Sequence, residues 1–437
     1  MNITNDLICQ NLSIRDGRLY MGEHDVMALA RIYGTPLYVM DEDRIRDRCR
    51  TYLDAVREAF GTQGGVYYAS KACSFKQIYR IMSDIGMGID VVSPGEIATA
   101  VKAGFDMSKA CYHSNNKTDE DIRYALSSGV GVLAVDSEDE LRAISTIASD
   151  MGRVQDIYLR ITPGIDPHTY SAVATGKVDS KFGSAIETGQ AMAITSLALT
   201  LPSINLIGYH CHVGSQVFDS EVYLATAGVM LDFIKEVKDT LSYTISRLDL
   251  GGGYGVRYTS LDQTIDIRQN ILKVADFIKD KVASLGIDMP AIYFEPGRSI
   301  VADSGLTLYT VGSLKRIPGY KNYVSVDGGM TDNPRYALYS SRYTLLNLSR
   351  LTQDRDMLCS VVGRCCESGD IIQPDVYMPS TTSRGDIVAC LTTGAYNYSM
   401  ASNYNRVARP PVVMLRGNEH YLAVKRESWD CLHDLDV

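Results

Sequence analysis

Gly88-Ile89-Asp90-Val91-Val92-Ser93-Pro94-Gly95-Glu96-Ile97-Ala98-Thr99-Ala100-Val101-Lys102-Ala103-Gly104 reads as one strand followed by one helix. Gly88–Val92 is a short apolar, β-branched run. From Pro94 an acidic first turn precedes apolar positions at helical spacing, and Gly104 stops the pattern. The same alternation extends outward in both directions. Helical patterns recur over Asp119–Leu126, Ser137–Ala148 and Glu221–Leu241. Short apolar runs recur at Val66–Ala69, Ala110–His113, Val132–Asp136, Asp156–Ile161, Leu206–His212, Arg247–Leu250 and Ala291–Glu295. With Gly88–Val92 they make eight strand-then-helix units, the pattern of a parallel (β/α)8 barrel of the TIM type. A doubly wound open sheet competes, but it would rarely need eight units.

After about Gly305 the texture changes. Leu306–Leu314, Tyr323–Asp327, Met357–Val362 and Ile387–Leu391 are β-rich, with Gly, Pro and Asn between them and little helical periodicity. The expected organisation is an α/β barrel over residues 36–304 and an all-β domain over 305–437. Residues 1–35 are expected to belong to that second domain and to give it an N-terminal strand.

Composition narrows the class of function. Of 437 residues, 45% are apolar and 22% charged, which suits a soluble globular protein. The net charge of −9, with no basic block to offset it, argues against a nucleic-acid partner. No apolar run approaches the roughly 20 residues that span a bilayer, so no membrane association is expected. Met1–Asp6 lacks the basic and apolar regions of a signal peptide, and the ten cysteines show no paired CxxC spacing. A reduced, cytoplasmic protein is the expectation.

In such a barrel, functional groups come from the C-terminal ends of the strands. Val66-Tyr67-Tyr68-Ala69-Ser70-Lys71 closes an apolar run with a lysine. At the end of a buried strand a lysine costs free energy unless it is paired or its pKa falls. The two common reasons for one are a structural ion pair and an amine that forms a Schiff base. Other strand ends carry Asp90, Ser93, His113, His210-Cys211-His212, Gly251-Gly252-Gly253 and Glu295-Pro296-Gly297-Arg298. The triple glycine could be a tight turn. Its place after the seventh strand favours a phosphate loop, because no Cβ shields its backbone N–H groups.

His210 and His212, two residues apart, would share one side of a strand. They could ligate a metal, with His113 and His168 as further ligands, or present an imidazole to a planar cofactor. A lysine and glycine-rich phosphate loops fit pyridoxal 5′-phosphate, with Glu295 available to the pyridine nitrogen.

At this point the chain resembles the diaminopimelate decarboxylase family, of the alanine-racemase-like, fold-type III pyridoxal-phosphate enzymes. The resemblance runs from about Thr35 to about Pro411. It rests on YASKA at 68–72, GIDVVSPGE at 88–96, SNNK at 114–117, KFG at 181–183, HVGSQ at 212–216 and GGGYG at 251–255. EPGR at 295–298, NPRYALY at 333–339, CESGD at 366–370 and GAYNYSMASNYN at 394–405 continue it. The ordered set is far more specific than YASK or GGG alone.

The resemblance implies that Lys71 carries the cofactor, His212 stacks on its ring and Glu295 meets the pyridine nitrogen. It implies that Ser215, Gly253 and the backbone of Pro296 and Gly297 bind the phosphate. Arg298, Arg335 and Tyr339 resemble a substrate-carboxylate clamp, the arginines suiting bidentate grip. Arg335 could instead be a surface residue of a polar loop. Glu367 would read a distal ammonium group, and Tyr396 would contact cofactor and substrate. Cys366 would donate the proton after carbon dioxide leaves, its neighbour Cys365 being a possible confusion. A buried inert cysteine is the plain alternative. A homodimer with sites shared head to tail is likewise implied.

The reaction so implied is decarboxylation of meso-2,6-diaminopimelate to L-lysine, the last step of lysine biosynthesis. Cys73 departs from the asparagine of many members and is expected to tune packing only. Rival readings are a sister decarboxylase of ornithine, arginine, carboxynorspermidine or a D-amino acid, and a metal hydrolase using His210 and His212. A racemase of this fold would place arginine where Glu295 stands. A non-catalytic homologue should have lost Lys71 or Cys366.

Overall fold

The computed structural model describes residues 7–166 and 180–437. They fall into two compact units that interleave along the chain. One comprises Arg48–Gly255 and Thr264–Gly297; the other comprises Met1–Asp47, Val256–Gln263 and Arg298–Val437.

The first unit is a closed barrel of eight parallel strands, as the eight apolar runs require. They are β1 (Gly64–Ala69), β2 (Gly88–Val91), β3 (Ala110–Tyr112), β4 (Val132–Val135), β5 (Gln155–Thr162), β6 (Ile204–His210), β7 (Arg247–Asp249) and β8 (Ala291–Phe294). Each pairs with the next, and β8 closes on β1 through Ile292 opposite Gly64 and Phe294 opposite Val66. Ser184–Ala185 adds a short parallel pairing to the end of β5.

Local chemistry sets the helices between the strands. Ser93 caps the helix Pro94–Ala103 by accepting from Glu96 N at 3.2 Å, and Gly104 ends it in the left-handed region. Ser93 is therefore a structural residue here. Thr118 and Asp121 form a capping box at Asp119–Ser127. Inside the barrel Tyr67 and Tyr293 stack at 5.2 Å and pack with Cys111, Val132, Ala134 and Tyr158. Gly65 and Gly88 make room for those rings: a Cβ on either would strike Tyr293 or Tyr67.

The second unit is built on a β-sheet whose hub is the thirteen-residue strand Gly305–Ile317. That strand pairs with Lys321–Val326, Ile387–Leu391 and Leu37–Asp41, all antiparallel. Met357–Val362, Ile371–Met378, Val412–Arg416 and Glu419–Val424 extend the sheet. The N-terminal strand expected here is Leu37–Asp41, just beyond the segment 1–35. Leu12–Arg15, Arg18–Met21 and His24–Asp25 instead make a separate three-stranded antiparallel sheet. Alternate residues Leu37 and Val39, Leu306 and Leu308, and Val413 and Leu415 meet in one apolar core. Burying each such side chain contributes about 1.5–3 kcal/mol.

Candidate active site

In the barrel the ionisable groups gather at the C-terminal ends of the strands. Glu295, directly after β8, is 7% exposed and is flanked by two imidazoles. His210 Nε2 hydrogen-bonds to its Oε2 at 3.0 Å. His113 Nε2 lies 2.8 Å from Oε1, yet Oε1 has no aligned hydrogen bond. Burial alone would raise the Glu295 carboxyl, but His113 and His210 outweigh it and hold it well below the usual carboxylate range. Burial in turn lowers His113 to about 4 and lowers His210 as well. The cluster is thus an ionised carboxylate between two neutral imidazoles.

Two further carboxyls face this group. Asp249, at the end of β7, is fully buried and accepts from Gly251 N at 2.9 Å. Burial, then the Glu295 charge, raises it well above the ordinary range. Asp90 on β2 is raised by burial and Glu295, against the pull of Lys71. Asp249 was not singled out from the sequence, where it stands as one acid in a strand.

Lys71 sits in the 3-10 turn Ser70–Ala72 that follows β1, and it is exposed. Val66–Ala69 and Ser70 are buried but the lysine is not, so the expected cost of burying its charge does not arise. Around it the backbone is locked: Ala69 N donates to Pro296 O at 3.1 Å, and Tyr68 Oη donates to Cys73 O at 2.9 Å. Cys73 is buried, and burial pushes its thiol up.

His210 and His212 do not act as a pair. Strand β6 ends at His210, so the two-residue period stops there. His210 turns to Glu295, whereas His212 Nδ1 accepts from Gly252 N at 3.3 Å. That bond leaves the proton of a neutral His212 ring on Nε2. The groups of ligand-type atoms among the described residues are Cys111 with His113 and Glu295, and His210 with Asp249 and Glu295. Neither group contains His212. His168 lies outside the described residues.

The triple glycine is required by close backbone packing. A Cβ on Gly252 would overlap the Glu295 carbonyl oxygen, one on Gly251 would come within 2.6 Å of Cys211 O, and one on Gly253 would overlap Gly214 O. The loops after β6, β7 and β8 are therefore packed backbone against backbone, with Ser215 half-buried beside them. Gly297 likewise packs on Ala69, where a Cβ would come within 2.9 Å of its carbonyl oxygen. Such a Cβ-free cradle, an open acceptor on Glu295 Oε1 and an accessible Lys71 amine fit a phosphorylated pyridine aldehyde.

The β-rich unit carries a second set. Arg298 and Arg335 are both buried, 8% and 4% exposed. Arg335 is not a surface residue. Its Nη1 donates to Tyr343 Oη at 2.9 Å, and Arg298 Nη1 donates to Tyr258 Oη at 2.7 Å. Tyr396 stands with φ +60° and its ring centroid 4.7 Å from Arg298 Cζ. Tyr339, at the end of the short helix Arg335–Tyr339, is 40% exposed and has no described contact with either arginine. The sequence did not single out Tyr258 or Tyr343.

Cys366 and Glu367 are exposed on a loop that Asp370 braces. Asp370 Oδ1 accepts from Met330 N at 2.6 Å and Oδ2 from Cys365 N at 2.7 Å. Cys366 N donates to Asn405 Oδ1 at 2.9 Å. Cys365 is half-buried, and burial beside Asp370 pushes its thiol up to about 11. Of these two neighbours the exposed thiol is thus Cys366.

The profile of the family described as "Pyridoxal-dependent decarboxylase, pyridoxal binding domain" matches residues 42–302, more than half of the chain. Pyridoxal-dependent decarboxylase is therefore the class that barrel and site define. Diaminopimelate decarboxylase of Bacillus subtilis (strain 168) is 41% identical over 421 residues, covering 96% of this chain and 95% of that one. The Bacillus methanolicus diaminopimelate decarboxylase is 42% identical, covering 94% and 95%. A crystal structure of the M. jannaschii enzyme, titled as diaminopimelate decarboxylase in co-complex with L-lysine, superposes with a TM-score of 0.89 at 32% identity. It covers 99% of this chain and 98% of that one. The chain belongs to the diaminopimelate decarboxylase family of fold-type III pyridoxal-phosphate enzymes. No helix among the described residues is long and apolar enough to cross a membrane.

Proposed function

We propose that this protein decarboxylates meso-2,6-diaminopimelate to L-lysine and carbon dioxide, the last step of lysine biosynthesis, as a cytoplasmic homodimer with shared sites. The observation that carries the choice of substrate is Arg335. It is a buried guanidinium with no carboxylate at ion-pair distance among the described residues. Paired with Arg298, it suits a substrate that keeps a second carboxylate, which simple diamine precursors lack.

Bound pyridoxal 5′-phosphate supplies an electron sink for the pair left at Cα. Lys71 holds the cofactor through its amine. Glu295, kept ionised by His113 and His210, gives the pyridine nitrogen a negative partner, and His212 offers its ring face. Ser215, Gly253 and the Pro296–Gly297 backbone receive the phosphate. Arg298, Arg335 and Tyr339 hold the carboxylate that is not lost, with Tyr396 beside them. Glu367 reads the distal ammonium group, and Cys366 holds the proton delivered to Cα. Remote binding of the unreacting end fixes which carboxylate leaves.

The test is L-lysine formation from meso-2,6-diaminopimelate with and without added pyridoxal 5′-phosphate. Cofactor-dependent lysine establishes reaction and substrate. Protein that binds the cofactor but makes no lysine moves the assignment to a decarboxylase of another amino acid.

A further inference from the structure

We infer that Tyr258 is a positioning residue for the substrate carboxylate, joining Arg298 and Arg335 into one anion-binding unit. The inference rests on the function proposed above and adds a residue to that site. All the groups concerned belong to the β-rich unit.

Tyr258 is 5% exposed, and its backbone is pinned on both sides. Its N–H donates to Asp262 Oδ2 at 2.8 Å, and its carbonyl accepts from Thr344 Oγ1 at 3.0 Å. The ring therefore has a fixed place. Its two polar features serve different arginines. The phenol oxygen accepts from Arg298 Nη1 at 2.7 Å, and the ring centroid lies 4.9 Å from Arg335 Cζ. Tyr343 stands edge-on to Tyr258 at 5.3 Å with its ring centroid 5.8 Å from Arg335 Cζ, and its hydroxyl donates to Asn397 Oδ1 at 3.2 Å.

Two buried cations beside one another repel, so something must hold them. A carboxylate would do so by neutralising them, and it would then compete with any carboxylate ligand. A phenol holds them with an acceptor oxygen and a π-face while leaving their net charge in place. The two guanidiniums act back on it: burial would raise the Tyr258 hydroxyl, but Arg298 and Arg335 draw it below its ordinary value. The shift is a consequence of the same geometry. Tyr258 thus acts through the arginines and need not touch the reacting atoms.

The test compares wild-type and Tyr258→Phe holoenzymes. The substitution keeps the ring and removes the oxygen that Arg298 uses. One charge-assisted hydrogen bond corresponds to about tenfold in binding. The KM for meso-2,6-diaminopimelate should rise about tenfold while kcat changes far less. Inhibition by L-lysine, which carries a carboxylate, should weaken by a similar factor. Inhibition by 1,5-diaminopentane, the same chain without a carboxylate, should not move. Tyr258→Leu, which also removes the ring face, should raise KM further. Equal weakening of both inhibitors, or of neither, overturns the inference. If the wild type makes no lysine, the proposed function fails, and binding of L-lysine and of 1,5-diaminopentane to the two holoenzymes, read by equilibrium dialysis, then tests Tyr258 by the same contrast.

Discussion

His210 Nε2 and Glu295 Oε2 lie 3.0 Å apart in the closed barrel, and His113 stands 2.8 Å from the other carboxylate oxygen. Neither imidazole needs to be charged. His210 hydrogen-bonds one oxygen of an anion that has lost its water and His113 lies beside the other, so the carboxylate stays ionised while the histidines stay neutral. This arrangement has a cost in acid.

The folded His113 titrates at about 4, below the ordinary 6.5. Between those values the unfolded chain binds the proton that the fold refuses, so stability is complete above about 6.5 and falls as the pH drops towards 4. The His113 contribution lost by pH 5 is about 2 kcal/mol. Asp90 and Asp249, both raised, act in the opposite sense. The comparison therefore needs a variant. In His113→Gln, the stability lost between pH 7 and pH 5 should be smaller than in wild type by about that amount, measured by urea unfolding. Identical losses would show that the fold does not lower the pKa of His113.

Lys71→Ala should abolish lysine formation and leave no cofactor attached after denaturation. Cys366→Ala should retain the cofactor and lose about 10²–10⁴ in kcat, the usual range for a positioned acid. Mixing the two inactive variants should restore turnover if the sites are shared between subunits. No recovery after subunit exchange would sink the shared-site reading.

Asp370 holds the Cys366 loop by accepting from Met330 N and Cys365 N. Asp370→Ala should lower kcat without changing cofactor absorbance, because the loop loses its brace and the barrel is untouched. Cys365→Ala, which removes a thiol pushed up to about 11, should cost far less than Cys366→Ala. Steady-state kinetics of the three variants decides the order.

Gly252→Ala places a methyl group against the Glu295 carbonyl, where only backbone can yield. A destabilisation of roughly 1–3 kcal/mol, or more if the loops part, is expected from overpacking. Weaker cofactor retention should accompany it, and equilibrium dialysis with thermal unfolding reads both. Wild-type stability in this variant would mean that the loops after β7 and β8 are not in contact.

The eight strands were legible because each is a short buried run bounded by a helical pattern, as in Val132–Val135, buried at every position. Lys71 and Glu295 were legible by position, at the ends of the first and last strands. Leu37–Asp41 was harder: it is buried on both faces, so it lacks the alternation that marks a half-buried strand. The His210–His212 spacing misled because strand geometry ends between them. Tyr258 could not be read at all. Its arginines are 40 and 77 residues away in sequence, and only the fold sets ring against guanidinium.

The glycine turn after β7 also bears on how this barrel can evolve. At Gly252 and Gly253 the obstacle to a side chain is a carbonyl oxygen of the neighbouring loop. A clash with a side chain can be relieved by trimming that side chain at a second site; a clash with a peptide group cannot. These positions are closed to gradual change, and no library of compensating substitutions should reopen them. The arginine–tyrosine set is different, since each contact there is made by a replaceable side chain. New substrate preferences in this lineage are expected to arise at positions such as 258, 335 and 343, with the glycine turn carried along unaltered.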